Sequence, residues 1–172
     1  MFDVTDYGAT GNGTTDDTSA IQLAITAAQT AAGSSDGATV YFPAGKYLVT
    51  STLTVAVHRV HILGESGKYV SQILFNPATA AGCFKFQNST SSAILYQSSI
   101  RGFTFVGAGS AQKIAIDLWD TSEFLLEDIV TASWTGNSGS ANTPSIALRT
   151  NGRDFLTCRV VDFYADLSLI HI

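Results

Sequence analysis

The sequence predicts an all-β solenoid that is closed at its N-terminal end by one α-helix. Three observations lead to this prediction. A single apolar stripe with helical spacing occurs near the start of the chain, at Ile21, Ala24, Ile25 and Ala28. Short runs of β-branched and aromatic residues then recur towards the C-terminus, each bounded by turn residues. Some of these runs can be aligned with one another, as expected of stacked coils.

The segment before the helix is predicted to be a tight loop. Gly8, Gly11 and Gly13 lie close together, and only glycine reaches positive φ without a steric penalty from a Cβ atom. We expect the helix to begin directly after this loop, because the carboxylate of Asp16 or Asp17 can accept hydrogen bonds from the first free amides. The capping loop and helix are predicted over about 8–32.

Short strands are predicted after the helix, with no second long helical stripe between them. They cover 39–42, 47–50, 53–57, 60–63, 72–75, 83–86, 94–96, 100–106, 114–118, 124–132, 146–148 and 155–163. Consecutive strands that pair in parallel usually need a helical crossover, so many short strands without helices indicate a β-sandwich or a solenoid.

Internal repetition favours the solenoid. The segments 98–103, 124–129 and 155–160 align with their alternating apolar positions in register, at offsets of roughly 26 and 31 residues. A coil of about that length is predicted, and the coils are expected to cover about 38–166. Chance periodicity is the alternative, because any alternating strand partly matches another.

The N-terminal motifs resemble those of the pectate-lyase superfamily domain. The similarity is carried by Asp6-Tyr7-Gly8, the Gly11-x-Gly13 loop, Asp16-Asp17-Thr18 and the turn formed by Pro43, Gly45 and Tyr47. This resemblance implies a right-handed single-stranded parallel β-helix, in which the first helix caps the open end and the Pro-Ala-Gly-x-Tyr turn belongs to the first coils. By resemblance, these residues build the fold and do not perform the chemistry.

The resemblance also implies a class of function. The superfamily includes rhamnogalacturonases, polygalacturonase-like hydrolases, mannuronan epimerases and phage tailspike depolymerases. We therefore expect the N-terminal part of a carbohydrate-active protein that binds, and cleaves or modifies, an acidic or pectin-like polysaccharide. The alternative is a non-catalytic phage tail, tailspike or surface adhesin that binds glycans. One fold hosts many activities, so the motif does not identify the reaction.

Further expectations depend on which of these readings holds. For a lyase or an epimerase the resemblance implies calcium as a possible cofactor, and otherwise no cofactor is evident. For a tailspike it implies a possible homotrimer. An extracellular or virion-associated location is expected, although the N-terminus shows no signal peptide.

Composition and charge exclude several other partners. The chain has 172 residues, of which 45% are hydrophobic and 13% charged, which suits a single packed domain. Its net charge of −5, without clustered Lys and Arg, argues against nucleic acid. No apolar run reaches the roughly 20 residues needed to span a bilayer. An acidic surface would also repel a polyuronate unless a local basic groove or a bound cation intervened.

The densest acidic region supplies the candidate catalytic residues. Glycoside hydrolysis needs two or three carboxylates around the glycosidic oxygen. The candidate carboxylates are Asp117, Asp120, Glu127 and Asp128, with Glu123 nearby, and the candidate sugar-stacking aromatics are Trp119 and Trp134. The alternative is that the acidic residues are turn residues and outward-facing solubilising residues. The catalytic motifs of the hydrolases and epimerases are missing, so we expect little catalytic activity from this chain alone.

Other reactive residues have structural interpretations. Cys83 and Cys158 are predicted to be buried free thiols stacked in the core, with a disulfide or a metal site as the alternatives. His58 and His61 are expected to face opposite sides of one strand and so to form no two-ligand metal site, and no metal site is predicted. The arginines, Arg101 among them, match no motif of the superfamily.

The end of the chain has an unusual composition. The residues 167–172 match the translation of a common sequencing-library transposase adapter, and we interpret them as an adapter-derived tail. The domain over 1–166 is then expected to be truncated at its C-terminal side. The alternative is one more apolar strand of alternating type.

Overall fold

The computed structural model describes most of the chain and shows parallel strands behind one N-terminal helix. The described residues are 1–34, 37–65, 67, 69–89, 93–109, 111, 113–132, 146–149 and 158–165. The first elements are β1 (Phe2–Asp3), a 3₁₀ turn (Val4–Tyr7), β2 (Asn12–Asp16), α1 (Thr18–Ser34), β3 (Ala38–Phe42), β4 (Gly45–Val49) and β5 (Leu53–Val55). The following strands are β6 (Val60–Gly64), β7 (Ser71–Phe75), β8 (Ala81–Phe86), β9 (Leu95–Tyr96) and β10 (Ser99–Gly107). The last are β11 (Lys113–Trp119), β12 (Thr121–Ser122), β13 (Phe124–Ala132), β14 (Ile146–Arg149) and β15 (Cys158–Ala165).

The strands form one bent sheet, a second sheet and a short two-stranded pair. The second sheet has the order β14-β11-β8-β5, and β12 pairs with β9. In the bent sheet, the first half of β10 pairs with β6 and its second half pairs with β7. We call the part with β1, β3, β6 and the first halves of β10, β13 and β15 the first arm. The part with β2, β4, β7 and the second halves of the same long strands is the second arm.

The bend between the two arms has a local cause. Gly102 has φ 77 within β10, and a Cβ atom there would lie 2.9 Å from the carbonyl oxygen of Gly64 in the strand below. Only glycine combines this backbone conformation with so close an approach. The bend therefore lets β10 run from the first arm into the second without a loop.

The interior is filled by residues that alternate with partly exposed ones along strands such as β3, β6 and β7. Its centre is an aromatic cluster in which Phe42 packs edge-on against Phe103 at 5.1 Å between ring centroids, and Phe84 and Phe105 meet at 6.1 Å. Edge-to-face contacts of this kind add to the stabilisation that comes from burial. All four rings are buried, so the core lies between the bent sheet and the second sheet.

The capping helix confirms the predicted stripe, because Ile21, Ala24, Ile25 and Ala28 are all fully buried. Of the two predicted capping carboxylates, only Asp16 acts at the helix start, where Oδ1 accepts the Thr18 N–H at 3.0 Å. The sequence predicted this role for Asp16 or Asp17, and the structure confirms it for Asp16. The Asp17 carboxylate points back into the glycine loop, and its backbone carbonyl accepts the Ile21 N–H at 2.9 Å.

The remaining N-terminal motif residues build the loop around Tyr47. The Tyr47 hydroxyl donates to the carbonyl oxygen of Pro43 at 3.0 Å. A Cβ atom at Gly11 would lie 3.1 Å from the Tyr47 ring, and one at Gly45 would lie 3.0 Å from the Gly11 carbonyl oxygen. Burial raises the pKa of Tyr47 to about 12. Gly8 ends the 3₁₀ turn of Asp6 and Tyr7 with φ 98.

The register between strands tests the predicted repeat. Ser99 pairs with Leu125, which confirms the offset of 26 residues between the first two aligned segments. The second predicted offset of about 31 was wrong, since Phe124 pairs with Cys158, 34 residues later. The extra residues fall between β13 and β15, where the chain is longer than in the preceding pass.

Cys83 is buried and free, and burial raises its pKa well above the usual range for a thiol. It lies in β8 of the second sheet, whereas Cys158 lies in β15 of the bent sheet. The side chain of Cys158 lies outside the described part of the structure, so the stacking of the two thiols in the core stays a prediction. Among the described residues, no helix is long and apolar enough to cross a membrane.

Candidate functional site

A groove runs across the outer surface of the first arm. Its cavity of about 450 Å³ is lined by residues from four successive strands and the turns that precede them. They are Thr39, His61, Leu63, Gln97, Ser98, Ser99, Arg101, Glu123 and Leu125.

Strand alternation explains why these side chains meet. The register places His61 beside Ser99 and Ser99 beside Leu125, in one outward column. Two residues further along the same strands, Leu63 lies beside Arg101 in a second column. The sequence spacing between successive passes differs, at 38 residues from His61 to Ser99 and 26 from Ser99 to Leu125, so no motif in the sequence reveals the groove.

Arg101 is the central cation of the groove. Its Nη1 lies 3.4 Å from Glu127 Oε2, and the two side chains are 42% and 40% exposed. A half-exposed ion pair of this geometry contributes little to stability. The Nε of Arg101 is buried and has no hydrogen-bond partner among the residues that the structure describes. The guanidinium is therefore free to exchange its carboxylate partner for an anionic ligand.

His61 lies next to Arg101 and is held in a fixed orientation. Its Nδ1 lies 2.9 Å from Ser99 Oγ. Burial and, after it, the positive charge of Arg101 lower the pKa of His61. A histidine with a lowered pKa is neutral at neutral pH and can accept a proton.

The predicted acidic residues do not form one cluster. Asp117 lies in β11 of the second sheet, paired in register with Lys85, and Asp120 follows that strand. Asp117 is 7% exposed and Asp120 6%, so neither is a solvated surface carboxylate. Trp119 is half-buried, with Lys85 Nζ 5.4 Å from its ring centroid, so Lys85 covers one face of the ring.

The other predicted residues lie on or near the first arm. Glu127 is the partner of Arg101 beside the groove. Asp128 follows at the bend of β13, with φ 52. Trp134 lies outside the described residues. Of the predicted site residues that the structure describes, Glu127 is thus the one paired with Arg101. The sequence analysis named His61 and Arg101 but assigned neither to the candidate site.

The groove combines a base, a cation and carboxylates. His61 can take a proton, Arg101 can bind an anion, and Glu123 and Glu127 can accept hydrogen bonds from hydroxyl groups. Leu63 and Leu125 provide apolar surface between them. Among the described residues, no group of three or more His, Cys, Asp and Glu side chains is placed to hold a metal ion.

Comparison with protein families gives one match that covers most of the chain. The family described as rhamnogalacturonase A/epimerase, pectate lyase-like, matches residues 1–147. Mannuronan C5-epimerase AlgE3 of Azotobacter vinelandii is 55% identical over 49 residues, which are 28% of this chain and 2% of the epimerase. The chain therefore corresponds to a small part of that relative.

Solved structures give longer matches at lower identity. ORF18 of Geobacillus virus E2 superposes with a TM-score of 0.70 at 26% identity, over 84% of this chain and 27% of the viral chain. An iota-carrageenase complexed to iota-carrageenan fragments superposes with a TM-score of 0.58 at 22% identity, over 75% of this chain and 28% of the enzyme. The similarity to the carrageenase, at 22% identity, is evidence for the fold alone.

Proposed function

The chain belongs to the rhamnogalacturonase A/epimerase, pectate lyase-like family, and from this premise we propose that it is part of a carbohydrate-active protein that binds an acidic polysaccharide in the groove of the first arm. The fold proposed with this function is a right-handed single-stranded parallel β-helix. The parallel register of the bent sheet and of the second sheet supports this architecture.

The observation that carries the proposal is the pair of His61 and Arg101 in the groove. The chain has a net charge of −5, which would repel a polyuronate. Arg101 supplies a local positive charge, and a guanidinium binds a planar carboxylate through two parallel hydrogen bonds. The neighbouring leucines offer apolar contact to the faces of sugar rings. A polymer lying across the strands would thus meet a cation and apolar surface together.

The same pair supports a reaction as well as binding. With the uronate carboxylate on Arg101, His61 can take the proton on the carbon next to that carboxylate, and the electron pair then moves onto the carboxylate. Delivery of a proton from water to the opposite face gives an epimer, and His61 then releases the first proton to solvent. Loss of the glycosidic oxygen from the neighbouring carbon, with a proton from water, instead forms a double bond and cleaves the chain. Hydrolysis by Glu123 and Glu127 is the other reaction that the groove residues permit.

Calcium is not given a role in this proposal. The described residues bring together no set of carboxylates that would satisfy the six to eight oxygen ligands that calcium prefers. Arg101 carries the charge that calcium would otherwise supply to a bound carboxylate.

Binding of acidic polymers tests the proposed function. Affinity electrophoresis of the chain in gels that contain polygalacturonate, alginate or iota-carrageenan, with dextran as a neutral reference, should show retardation by at least one acidic polymer. Arg101→Gln should weaken that binding by about tenfold or more, because it removes the charge-assisted contact. Lys46→Gln, which removes an exposed cation in β4 outside the groove, serves as the matched control. Equal affinities of the two variants would contradict the proposal.

A second candidate function is a glycan-binding segment of a phage tail or tailspike, or of a surface adhesin, without catalysis. The likeness to ORF18 of Geobacillus virus E2 favours it. Such a protein would be virion-associated or extracellular, and a tailspike would be a homotrimer. Product analysis of each bound polymer separates the candidates, since a new double bond, an altered uronate ratio or a new reducing end requires the enzyme.

A further inference from the structure

A second cavity adjoins the groove at the corner where the chain enters the first arm. It has a volume of about 300 Å³ and is lined by His58, Arg59, Tyr96, Gln97 and Glu123. We call it the corner cavity. Gln97 and Glu123 line both the corner cavity and the groove, so the two spaces adjoin each other.

The corner is built from a column of left-handed residues. Arg59, Gln97 and Glu123 have φ values of 59, 55 and 54, and each lies two residues before a position that the register stacks, at His61, Ser99 and Leu125. Positive φ is uncommon for residues other than glycine. The preceding pass has Gly37, with φ 139, at the equivalent place. Glycine would adopt this backbone conformation without strain, whereas Arg59, Gln97 and Glu123 adopt it at a steric cost.

Tyr96 provides a rigid aromatic surface in this cavity. Its ring is 39% exposed and lies 5.5 Å from the His58 ring, centroid to centroid, at an interplanar angle of 39°. The Tyr96 N–H donates to His58 Nδ1 at 2.9 Å, and its carbonyl oxygen accepts the Arg59 N–H at 3.0 Å. Both backbone groups of the tyrosine are therefore fixed, and the ring is supported from one side by the imidazole.

We propose that the corner cavity is a subsite for an uncharged sugar unit. The sugar ring stacks on Tyr96, while the Gln97 amide and the Glu123 carboxylate bind its hydroxyl groups. A carboxylate can accept from two hydroxyls, and an amide both donates and accepts, so together they suit adjacent hydroxyls on one ring. The charges of Arg59 and Glu123 oppose each other, so the corner offers no net attraction to a uronate, in contrast to Arg101 in the groove.

This subsite extends the proposed function and rests on it. A polymer that occupies the groove and the corner together would carry an acidic unit on Arg101 and an uncharged unit on Tyr96. The two adjoining sites therefore favour a polysaccharide of mixed composition over a polyuronate of one kind. Tyr96 and Glu123 become specificity-determining residues for the same site.

An NMR titration of the 172-residue chain tests the subsite. The probes are neutral hexasaccharides of β-1,4-linked glucose, galactose or mannose, and acidic hexamers of galacturonate or mannuronate. At least one neutral hexamer should shift the signals of Tyr96 and Gln97. Tyr96→Ala should raise the Kd for that hexamer by about tenfold or more, as expected for loss of a stacking contact, and Tyr96→Phe should retain the affinity.

Matched variants separate the subsite from the groove. Tyr69→Asn removes another exposed tyrosine, at a position whose φ of 64 asparagine tolerates, and should leave the Kd for the neutral hexamer unchanged. Arg101→Gln should weaken only the acidic hexamers, and Tyr96→Ala only the neutral one. Absence of shifts at Tyr96 with every neutral hexamer, or equal affinity of Tyr96→Ala and the wild type, would overturn the subsite. If Arg101→Gln leaves the Kd for the acidic hexamers unchanged, the proposed function of the groove is overturned instead.

Discussion

Gln22 of the capping helix is bonded to Thr54 through both ends of its side-chain amide. Its Oε1 accepts the Thr54 N–H at 2.8 Å, and its Nε2 donates to the Thr54 carbonyl oxygen at 3.2 Å. Thr54 lies in β5, which ends the order of the second sheet and pairs, among the strands that the structure describes, with β8 alone. The glutamine amide thus takes the place that a neighbouring strand would otherwise occupy. Edge strands need such protection, because unpaired backbone groups promote association with other chains.

Replacement of Gln22 by alanine should weaken the attachment of the helix to this edge. We expect Gln22→Ala to lower the free energy of unfolding by about 1 kcal/mol, since two partly exposed hydrogen bonds are lost. Urea denaturation monitored by circular dichroism measures this change. Thr26→Ala is the control, because the Thr26 hydroxyl bonds only to the Gln22 carbonyl oxygen within the helix. If the control variant loses as much stability as Gln22→Ala, the bond to the sheet edge is not the cause.

Asp17 anchors the glycine loop from inside the protein. Its carboxylate is buried and accepts the N–H of Thr10 at 2.7 Å, the hydroxyl of Thr10 at 3.0 Å and the N–H of Gly11 at 3.2 Å. Asp17→Asn turns one acceptor into a donor that faces these donors. We expect the variant to lose about 2–3 kcal/mol of stability, as for hydrogen bonds to a charged group.

The exposed Asp6 provides the matched comparison for Asp17. Asp6→Asn makes the same chemical change at the surface and should stay within about 0.5 kcal/mol of the wild type. Chemical denaturation of both variants in the same buffer gives the difference directly. Similar losses for the two would show that charge, and not the buried hydrogen bonds, determines the effect.

Local patterns in the sequence were enough to predict most of the fold. The buried stripe of Ile21 and Ile25 depends on helical spacing alone, and the strands depend on alternation and turn residues. The 26-residue offset between β10 and β13 was also predicted, because the alternating apolar positions of the two strands align in the sequence. The offset of β15 was missed, since additional residues between β13 and β15 shift the register without changing the alternation within the strand.

The groove could not be predicted because it depends on contacts between distant residues. His61 and Ser99 are neighbours on two paired strands, and a separation of 38 residues without a motif gives no indication of such a contact. The acidic residues near Trp119 were predicted as candidates because they are close together in the sequence. The chain, however, turns between Asp117 and Glu127, which places Asp117 on the second sheet and Glu127 on the bent sheet.

The bend between the two arms should tolerate no side chain at Gly102. Gly102→Ala would combine an unfavourable φ of 77 with a Cβ atom 2.9 Å from the Gly64 carbonyl oxygen. We expect a loss of about 3 kcal/mol or more, or failure to fold, because the backbones of two stacked strands would have to separate. Thermal unfolding followed by circular dichroism shows the size of the effect.

Gly33 is the control for a glycine that no contact requires. It lies in α1 with no atom within 4 Å of an added Cβ. Gly33→Ala should raise stability by about 0.5–1 kcal/mol through the lower entropy of the unfolded chain. A Gly102→Ala variant as stable as Gly33→Ala would refute the close approach of β6 and β10.

His61 should make stability depend on pH in a defined window. Its pKa is lowered in the folded protein, first by burial and second by Arg101, from an ordinary value of 6.5. Between that value and the lower folded pKa, the unfolded chain binds more protons than the folded one, so stability falls as pH falls. The contribution is fully present above about pH 6.5 and is lost on acidification towards the folded pKa.

Denaturation of the wild type and His61→Gln at pH 7.5 and pH 5 tests this, because glutamine cannot titrate. The wild type should lose more stability than the variant on acidification, and a bound acidic polymer should reduce that difference, since protonated His61 would then have an anionic partner beside Arg101. An equal loss in both proteins would mean that His61 is solvated like a surface histidine, and its role as the base in the groove would fail with it.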